Sequence, residues 1–211
     1  MKNTKEKILA AARELFNRQG YAQVTVRMIA QAAGMSSGNL NYHFPKREDI
    51  LEALYFEMAE VFDRRVANLP QTEFSFPQIL KDIRDSMERM MAYRFFWADL
   101  HYLLKSNEAI RDHFSQANEQ RKAGYAFLFA ALQQQGWMRA PDFEGEYGFL
   151  AERMLAYSDT WIYRPQLDEK GGRHFASALL LDKHALALLL FLYPHLTEAG
   201  KAKVRGVMDE R

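Results

Sequence analysis

The 211-residue sequence has no cysteine. That excludes disulfides, thiolate metal centres and a cysteine nucleophile, and it fits a reducing compartment. It has only six prolines, Pro45, Pro70, Pro77, Pro141, Pro165 and Pro194. Each falls where the apolar periodicity breaks, so they act as punctuation. No Asn-Gly or Asp-Gly turn and no long period-two alternation is present, which leaves little room for hairpins. The longest unbroken apolar run, Ala185 to Tyr193, has nine residues, too few to cross a bilayer. The first residues, Met-Lys-Asn-Thr-Lys-Glu-Lys, lack the apolar stretch and cleavage site of a signal peptide. A cytoplasmic protein with no membrane partner is the expectation. His-Glu-x-x-His, Glu-x-x-His, a glycine-rich phosphate loop and a Gly-x-Ser-x-Gly elbow are all missing. Asp99 with His101, and Asp182 with His184, are two residues apart and cannot share a helix face. The sequence therefore predicts no enzyme, no metal site and no cofactor.

What is present is the composition of a folded protein, 48% hydrophobic and 26% charged. The formal net charge of +1 hides an asymmetry. Residues 1–47 carry eight Lys or Arg against two Glu, a net +6, which leaves −5 on the remaining 164 residues. A basic head on an acidic body either meets a polyanion or is a solvated charged face; charge alone does not decide.

Helical periodicity dominates, and the chain reads as all-α with about nine to ten helices. Asn3 with Glu6 forms a capping-box-like start for a helix whose apolar stripe is Ile8, Ala12, Leu15 and Phe16, stopped at Gly20. Thr25 caps a short helix to Ala33, and Ser36 caps another to about Phe44. A long helix follows from Lys46 to Leu69, with Ile50, Leu54, Met58, Val61 and Phe62 predicted inside. Residues 70–77 read as a linker. Further helices are predicted at Pro77–Tyr93, Arg94–Lys105, Asn107–Gln135, Asp142 to before Pro165, His174–Tyr193 and from Thr197. The boundaries read as a head over 1–47, a connecting helix over 46–69, and a larger helical body over 70–211.

The two short helices joined by Gly34-Met35 have helix-turn-helix spacing. Ala30 is small where the helices cross, Gly34 suits the positive φ of a tight turn, and Ile29 and Leu40 are placed to fill the core beneath. In Ser36-Ser37-Gly38-Asn39-Leu40-Asn41-Tyr42-His43-Phe44 only Leu40 and Phe44 need face inward. The other side suits a major groove, or is the polar face of an ordinary helical hairpin.

Residues 5–54 resemble the DNA-binding domain of the TetR family of bacterial transcriptional regulators. The resemblance rests on Ile8-Leu9-Ala10-Ala11-Ala12-Arg13-Glu14-Leu15-Phe16, Gly20-Tyr21, Thr25-Val26-Arg27-Met28-Ile29-Ala30, Ala33-Gly34-Met35-Ser36 and Gly38 to Arg47. It implies a double-stranded DNA partner. Thr25 would touch phosphate and Arg27 a base edge or phosphate. Ser36, Ser37, Gly38 and Asn39 would open the reading helix, and His43, Lys46 and Arg47 would hold the DNA backbone. The family usually has Tyr where this chain has Asn41. Asn41 is shorter, so either Tyr42 takes over part of its phosphate contact or the contact is lost.

In the body, Met87 to Leu104 is rich in large soft side chains. Met87, Met91, Phe95, Phe96, Leu100, Leu103 and Phe127 suit an adaptable apolar cavity for a small-molecule effector, and equally a plain core; the cavity is what the resemblance favours. By helical angle Asp99 falls opposite the polar stripe of Arg94, His101 and Lys105, and Arg121 falls inside an apolar stripe. The two either pair with each other or present a charge to the ligand. The segment Phe175–Tyr193 is apolar nearly all round, so it is buried on more than one face. Leu181, Leu188 and Phe191, with Met154, Tyr157 and Trp161 of the preceding helix, form the expected homodimer seam; a central helix of a monomer is the alternative. Together these imply a homodimeric repressor released from a palindromic operator by a small, largely apolar ligand, with the long connecting helix as lever. The rival is a helical small-molecule binder or enzyme with a structural head. A third reading is an activator or a ligand-independent regulator.

Overall fold

The computed structural model describes residues 4–68, 74–163 and 178–209. Among them stand eleven α-helices, one 3-10 segment and no strand, apart from an isolated bridge between Met138 and Leu196. The helices are α1 (Thr4–Gln19), α2 (Val26–Ala32), α3 (Ser37–His43), α4 (Arg47–Asn68), α5 (Phe76–Ala92), α6 (Arg94–Ala98), α7 (Leu100–Ser106), α8 (Glu108–Gln134), α9 (Glu146–Thr160), α10 (Ala178–Leu189) and α11 (Glu198–Asp209), with 3-10 residues Leu190–His195 between the last two. The all-α class is as the periodicity indicated. The Asn3 cap, Leu69, the first half of the linker (70–73) and the start at His174 lie outside the described residues.

The chain divides into two compact units, Met1–Asp63 with Ala92–Gln116, and Arg64–Met91 with Ala117–Arg211. This division differs from boundaries at 47 and 70, because residues 92–116 pack with the head rather than with the rest of the body. In the first unit, α1 buries Ile8, Ala12, Leu15 and Phe16 as its stripe predicts. Phe16 meets Phe95 of α6, ring centroids 5.2 Å apart. Asn17 grips both ends of the break between α5 and α6: its Nδ2 donates to Ala92 O (2.9 Å) and its Oδ1 accepts from Phe95 N (3.1 Å). Arg13 donates to the buried Tyr93 hydroxyl (3.1 Å), which donates to Glu57 of α4 (2.6 Å).

Three expectations change. The single helix over Arg94–Lys105 is two, broken at Asp99, whose backbone leaves helical geometry. Its carboxylate turns to the Tyr21 N–H (3.4 Å), a donor beyond the end of α1, and a short acidic side chain that finds such a partner competes with helix continuation. On α4, Val61 is exposed and Phe62 only partly buried; Leu51, Tyr55 and Ala59 are inside instead. The helix after Pro141 begins at Glu146, capped by Gly145 at φ 84°, not at Asp142.

In the second unit, α5, α8, α9, α10 and α11 contribute buried Met87, Leu132, Met154, Leu188 and Val204. Residues Ala178–His195 form an 18-residue apolar stretch of mean hydropathy 1.2. By length and composition alone it could cross a membrane, but its Leu181, Ala185, Leu188 and Leu192 are buried against the chain itself, as in the core helix of a folded domain. At the other end of the unit, buried Glu146 accepts from Arg139 Nη2 (2.5 Å) and Nη1 (3.0 Å) and from Asp142 N (2.6 Å), with His195 Nδ1 at 3.0 Å. The Arg139 hydrogen bonds outweigh the burial penalty and hold the Glu146 carboxyl at about 2, against an ordinary 4.5.

A carboxyl depressed on folding contributes stability that is present above its unfolded pKa and lost as pH falls through the folded one. Urea midpoints of the native chain should therefore drop between pH 4.5 and about 2 more steeply than those of Glu146→Gln. Parallel curves for the two proteins would show that this ion pair has no such role.

Candidate nucleic-acid interface

The head is built from short-range constraints. Thr25 Oγ accepts from Met28 N (3.3 Å) and Ser36 Oγ from Asn39 N (3.2 Å), so each short helix begins on a side-chain cap. Between them Gly34 takes φ 68°, a region other residues enter only at a cost, and Met35 N donates back to Ala30 O (3.0 Å). The turn is tight enough that Ile29, Ala30 and Leu40 are all buried. Leu40 holds α3 down from one side, and Phe44, just past its end, closes it below.

The opposite side of α3 is open. Ser36, Ser37, Gly38, Asn39 and Asn41 are exposed, Tyr42 is 83% exposed, and His43 is half-buried beside it with ring centroids 5.2 Å apart. Thr25, Arg27 and Lys46 are exposed as well. Because Thr25 Oγ is an acceptor towards the α2 backbone, its own O–H remains to meet an outside acceptor. Donors and acceptors with no packing duty, on a helix narrow enough for a major groove, match what base-edge reading requires.

Arg47 departs from its expected role. Its Nη1 donates to Val24 O (3.0 Å) and Tyr21 O (3.3 Å), and its guanidinium lies 4.2 Å from the Tyr21 ring centroid. It fastens the loop ahead of α2 to the start of α4, so a free phosphate clamp is not its state here. The ring beneath it is buried, which pushes the Tyr21 phenol up to about 12 and leaves it a donor to Glu48 Oε1 (3.3 Å). Lys46 is the exposed cation of the pair, its backbone N–H spent on Asp49 Oδ2 (2.8 Å) at the start of α4.

The residues expected to line an effector cavity are divided between the two units. Phe95, Phe96, Asp99, Leu100 and Leu103 belong to the first unit, and Met87, Met91, Arg121 and Phe127 to the second. Phe96 packs on Tyr55 (5.0 Å) and Phe114 (6.3 Å), a core role. Phe127 is 41% exposed. Asp99 and Arg121 do not pair: Asp99 serves Tyr21, and Arg121 Nη2 donates to Asp159 Oδ1 (2.8 Å) and Ser158 Oγ (2.6 Å). Sequence reasoning missed Asp159 and Ser158, although the polar run Ser158-Asp159-Thr160 between Tyr157 and Trp161 was a legible signal.

The expected dimer residues are largely interior. Met154, Trp161, Leu181 and Leu188 are buried within the single chain, because α9 and α10 pack those faces on each other. Tyr157 lies tilted against Phe191 (ring centroids 5.4 Å apart), and its hydroxyl is hydrogen-bonded with His184 Nδ1 (2.7 Å). Burial and the neighbouring Lys183 lower the His184 imidazole, which favours its neutral form. The outward faces of these helices carry Phe149, 61% exposed, and Leu179, 79% exposed. Among the described residues no group of three or more His, Asp or Glu is gathered as a metal site.

Comparison with known proteins agrees with this geometry. A family model described as bacterial regulatory proteins, tetR family, matches residues 8–54, and one described as bacterial transcriptional repressor matches residues 57–204. The HTH-type transcriptional regulator QacR of Staphylococcus aureus is 45% identical over 56 residues, 26% of this chain and 30% of that protein. The HTH-type transcriptional repressor AcnR of Corynebacterium glutamicum is 29% identical over 126 residues, 54% of this chain and 65% of the relative. The matches thus span less than two thirds of these relatives. A TetR-family regulator from Marinobacter aquaeolei superposes with a TM-score of 0.87 at 23% identity, covering 99% of this chain and 98% of that one. A regulator from Saccharomonospora viridis, solved in complex with choline, gives 0.67 at 26% identity over 92% and 97%.

The position of Arg47 predicts a stability defect. Arg47→Ala should lower the unfolding free energy by about 1–2 kcal/mol, from two charge-assisted hydrogen bonds and a cation–π contact, read as a shift in urea midpoint without DNA. An unchanged midpoint would return Arg47 to the role of a free backbone contact.

Proposed function

The chain belongs to the TetR family of bacterial transcriptional regulators, and from that premise we propose that it is a homodimeric repressor, released from a palindromic operator by a small-molecule effector. The observation that carries this is α3: one apolar residue anchors it, and every polar residue from Ser36 to Asn41 is exposed. A single seven-residue helix makes few base contacts. Two copies related by a two-fold axis double them and read two half-sites one helical turn apart. Asn39 and Ser37, with Gly38 allowing close approach, are the proposed base readers. Thr25, Arg27, Asn41, Tyr42, His43 and Lys46 are the proposed backbone contacts, and these position without specifying. A repressor acting on the chromosome works in the cytoplasm.

The dimer seam is assigned to the outer faces of α9 and α10, where Phe149 and Leu179 stand exposed, rather than to the interior residues named from the sequence. Large apolar side chains that remain in water within one subunit are the ones association removes from it. The effector reading draws support from the Saccharomonospora relative, a protein of this fold solved with choline.

An effector releases DNA only if it binds the non-reading conformation better. Within the first unit α1 is tied to α6 through Asn17, Phe16 and Phe95, and through Arg13 to Tyr93 and Glu57. A shift of α6 therefore reaches α3 as directly as a shift of α4, and α6 joins α4 as lever.

Mobility shifts with the DNA upstream of the chain's own gene test the reading. Asn39→Ala should change preference between sites, and Lys46→Ala should weaken all sites alike and lower the salt slope by about one. Binding that ignores sequence and salt would remove the reading altogether.

A further inference from the structure

Lys5, in the first turn of α1, is out of keeping with its position. A helix start favours acidic side chains over basic ones; Glu6 fits that preference and Lys5 does not. A residue that breaks a local rule without helping its own helix points to another task. Lys5 is exposed, and its Nζ stands over the Phe44 ring, 5.9 Å from the centroid. Phe44 directly follows α3 and is buried. Its ring therefore places a cation from α1 at the C-terminal end of the proposed reading helix.

Other basic groups share this corner of the head. His43 is the last residue of α3, and Lys46 stands exposed two residues past Phe44. Asp49, the acid at the start of α4, turns its Oδ2 to the Lys46 N–H (2.8 Å). Two lysines and an imidazole, from α1, α3 and the turn into α4, thus stand beside Phe44 in space or within two residues of it in sequence. A lysine is a point charge with rotatable donors, suited to a phosphate and not to bidentate reading of a base edge. Gripping an anion normally costs its long stem rotamer freedom. A stem already lodged on an aromatic ring has given up part of that freedom beforehand.

We propose that Lys5 grips a phosphate of the DNA backbone at the C-terminal end of α3, its stem held on the Phe44 ring. This rests on the DNA-binding reading above and adds α1 to the elements that meet the duplex. The helix, 16 residues and about 24 Å long, then carries a DNA contact in its first turn and the Asn17 joint to α6 near its last.

The test is the salt dependence of duplex binding by the full-length protein, followed by fluorescence anisotropy. The probes are the DNA upstream of the chain's own gene and a mixed-sequence duplex about 30 base pairs long. Lys5→Ala should lower the slope of log affinity against log salt by about one per bound subunit. It should weaken both probes by the same factor, and Lys5→Arg should keep the slope. Lys7→Ala removes the same charge from the same helix, about 200° further round, and should leave the slope nearly as it was. A variant that folds only in part loses affinity by a constant factor and keeps its slope, so lost stability does not imitate the result. An unchanged slope in Lys5→Ala would overturn the proposal and leave Lys5 a packing residue on Phe44. An equal fall in Lys7→Ala would overturn it in favour of diffuse head charge, and weakening of one probe alone in favour of sequence reading. In each of these cases DNA binding by the native chain stands and the contact alone is removed. No binding of the native chain to either duplex removes the DNA-binding reading and the contact with it.

Discussion

The turn at Gly34 is the constraint on which the head depends. Two seven-residue helices are too short to be stable by themselves; they persist because the turn brings Ile29, Ala30 and Leu40 into one small core. Everything outward on α3 follows from that. A single apolar anchor suffices to fix the helix, so the remaining positions carry polar groups at no cost in packing. Arg47 extends the same economy to the loop before α2, where one guanidinium satisfies two carbonyls and covers the Tyr21 ring.

The head does not end with α4. Residues 92–116 share its compact unit, and the joint is polar and directional: Asn17 on the chain break between α5 and α6, Asp99 on the Tyr21 amide, Tyr93 between Arg13 and Glu57. Hydrogen bonds of this kind specify one register, whereas apolar contact alone tolerates sliding. A part of the chain far from α3 in sequence is thereby made part of the same body.

The second unit handles its interior charges by pairing them locally. Glu146 is surrounded by Arg139, the Asp142 amide and His195; Arg84 meets Asp182 across α5 and α10 at 2.8 Å; Arg121 meets Asp159. The first is closed, with Glu146 buried. In the last, both partners keep some surface, Arg121 at 26% and Asp159 at 22%.

Local rules determined much by themselves. The stripe of α1, the caps at Thr25 and Ser36, the turn at Gly34 and the outward face of α3 all come from spacings of a few residues, which a sequence displays directly. So does the all-α class. Only the tertiary structure decided which charges meet, and which apolar faces remain in water. Arg121 found Asp159 on α9 instead of Asp99, Arg47 turned inward to carbonyls, and Met154, Leu181 and Leu188 sank into the subunit while Phe149 and Leu179 stayed outside. A helical period fixes the angle of a side chain about its own axis; it is silent on which neighbouring helix that angle faces.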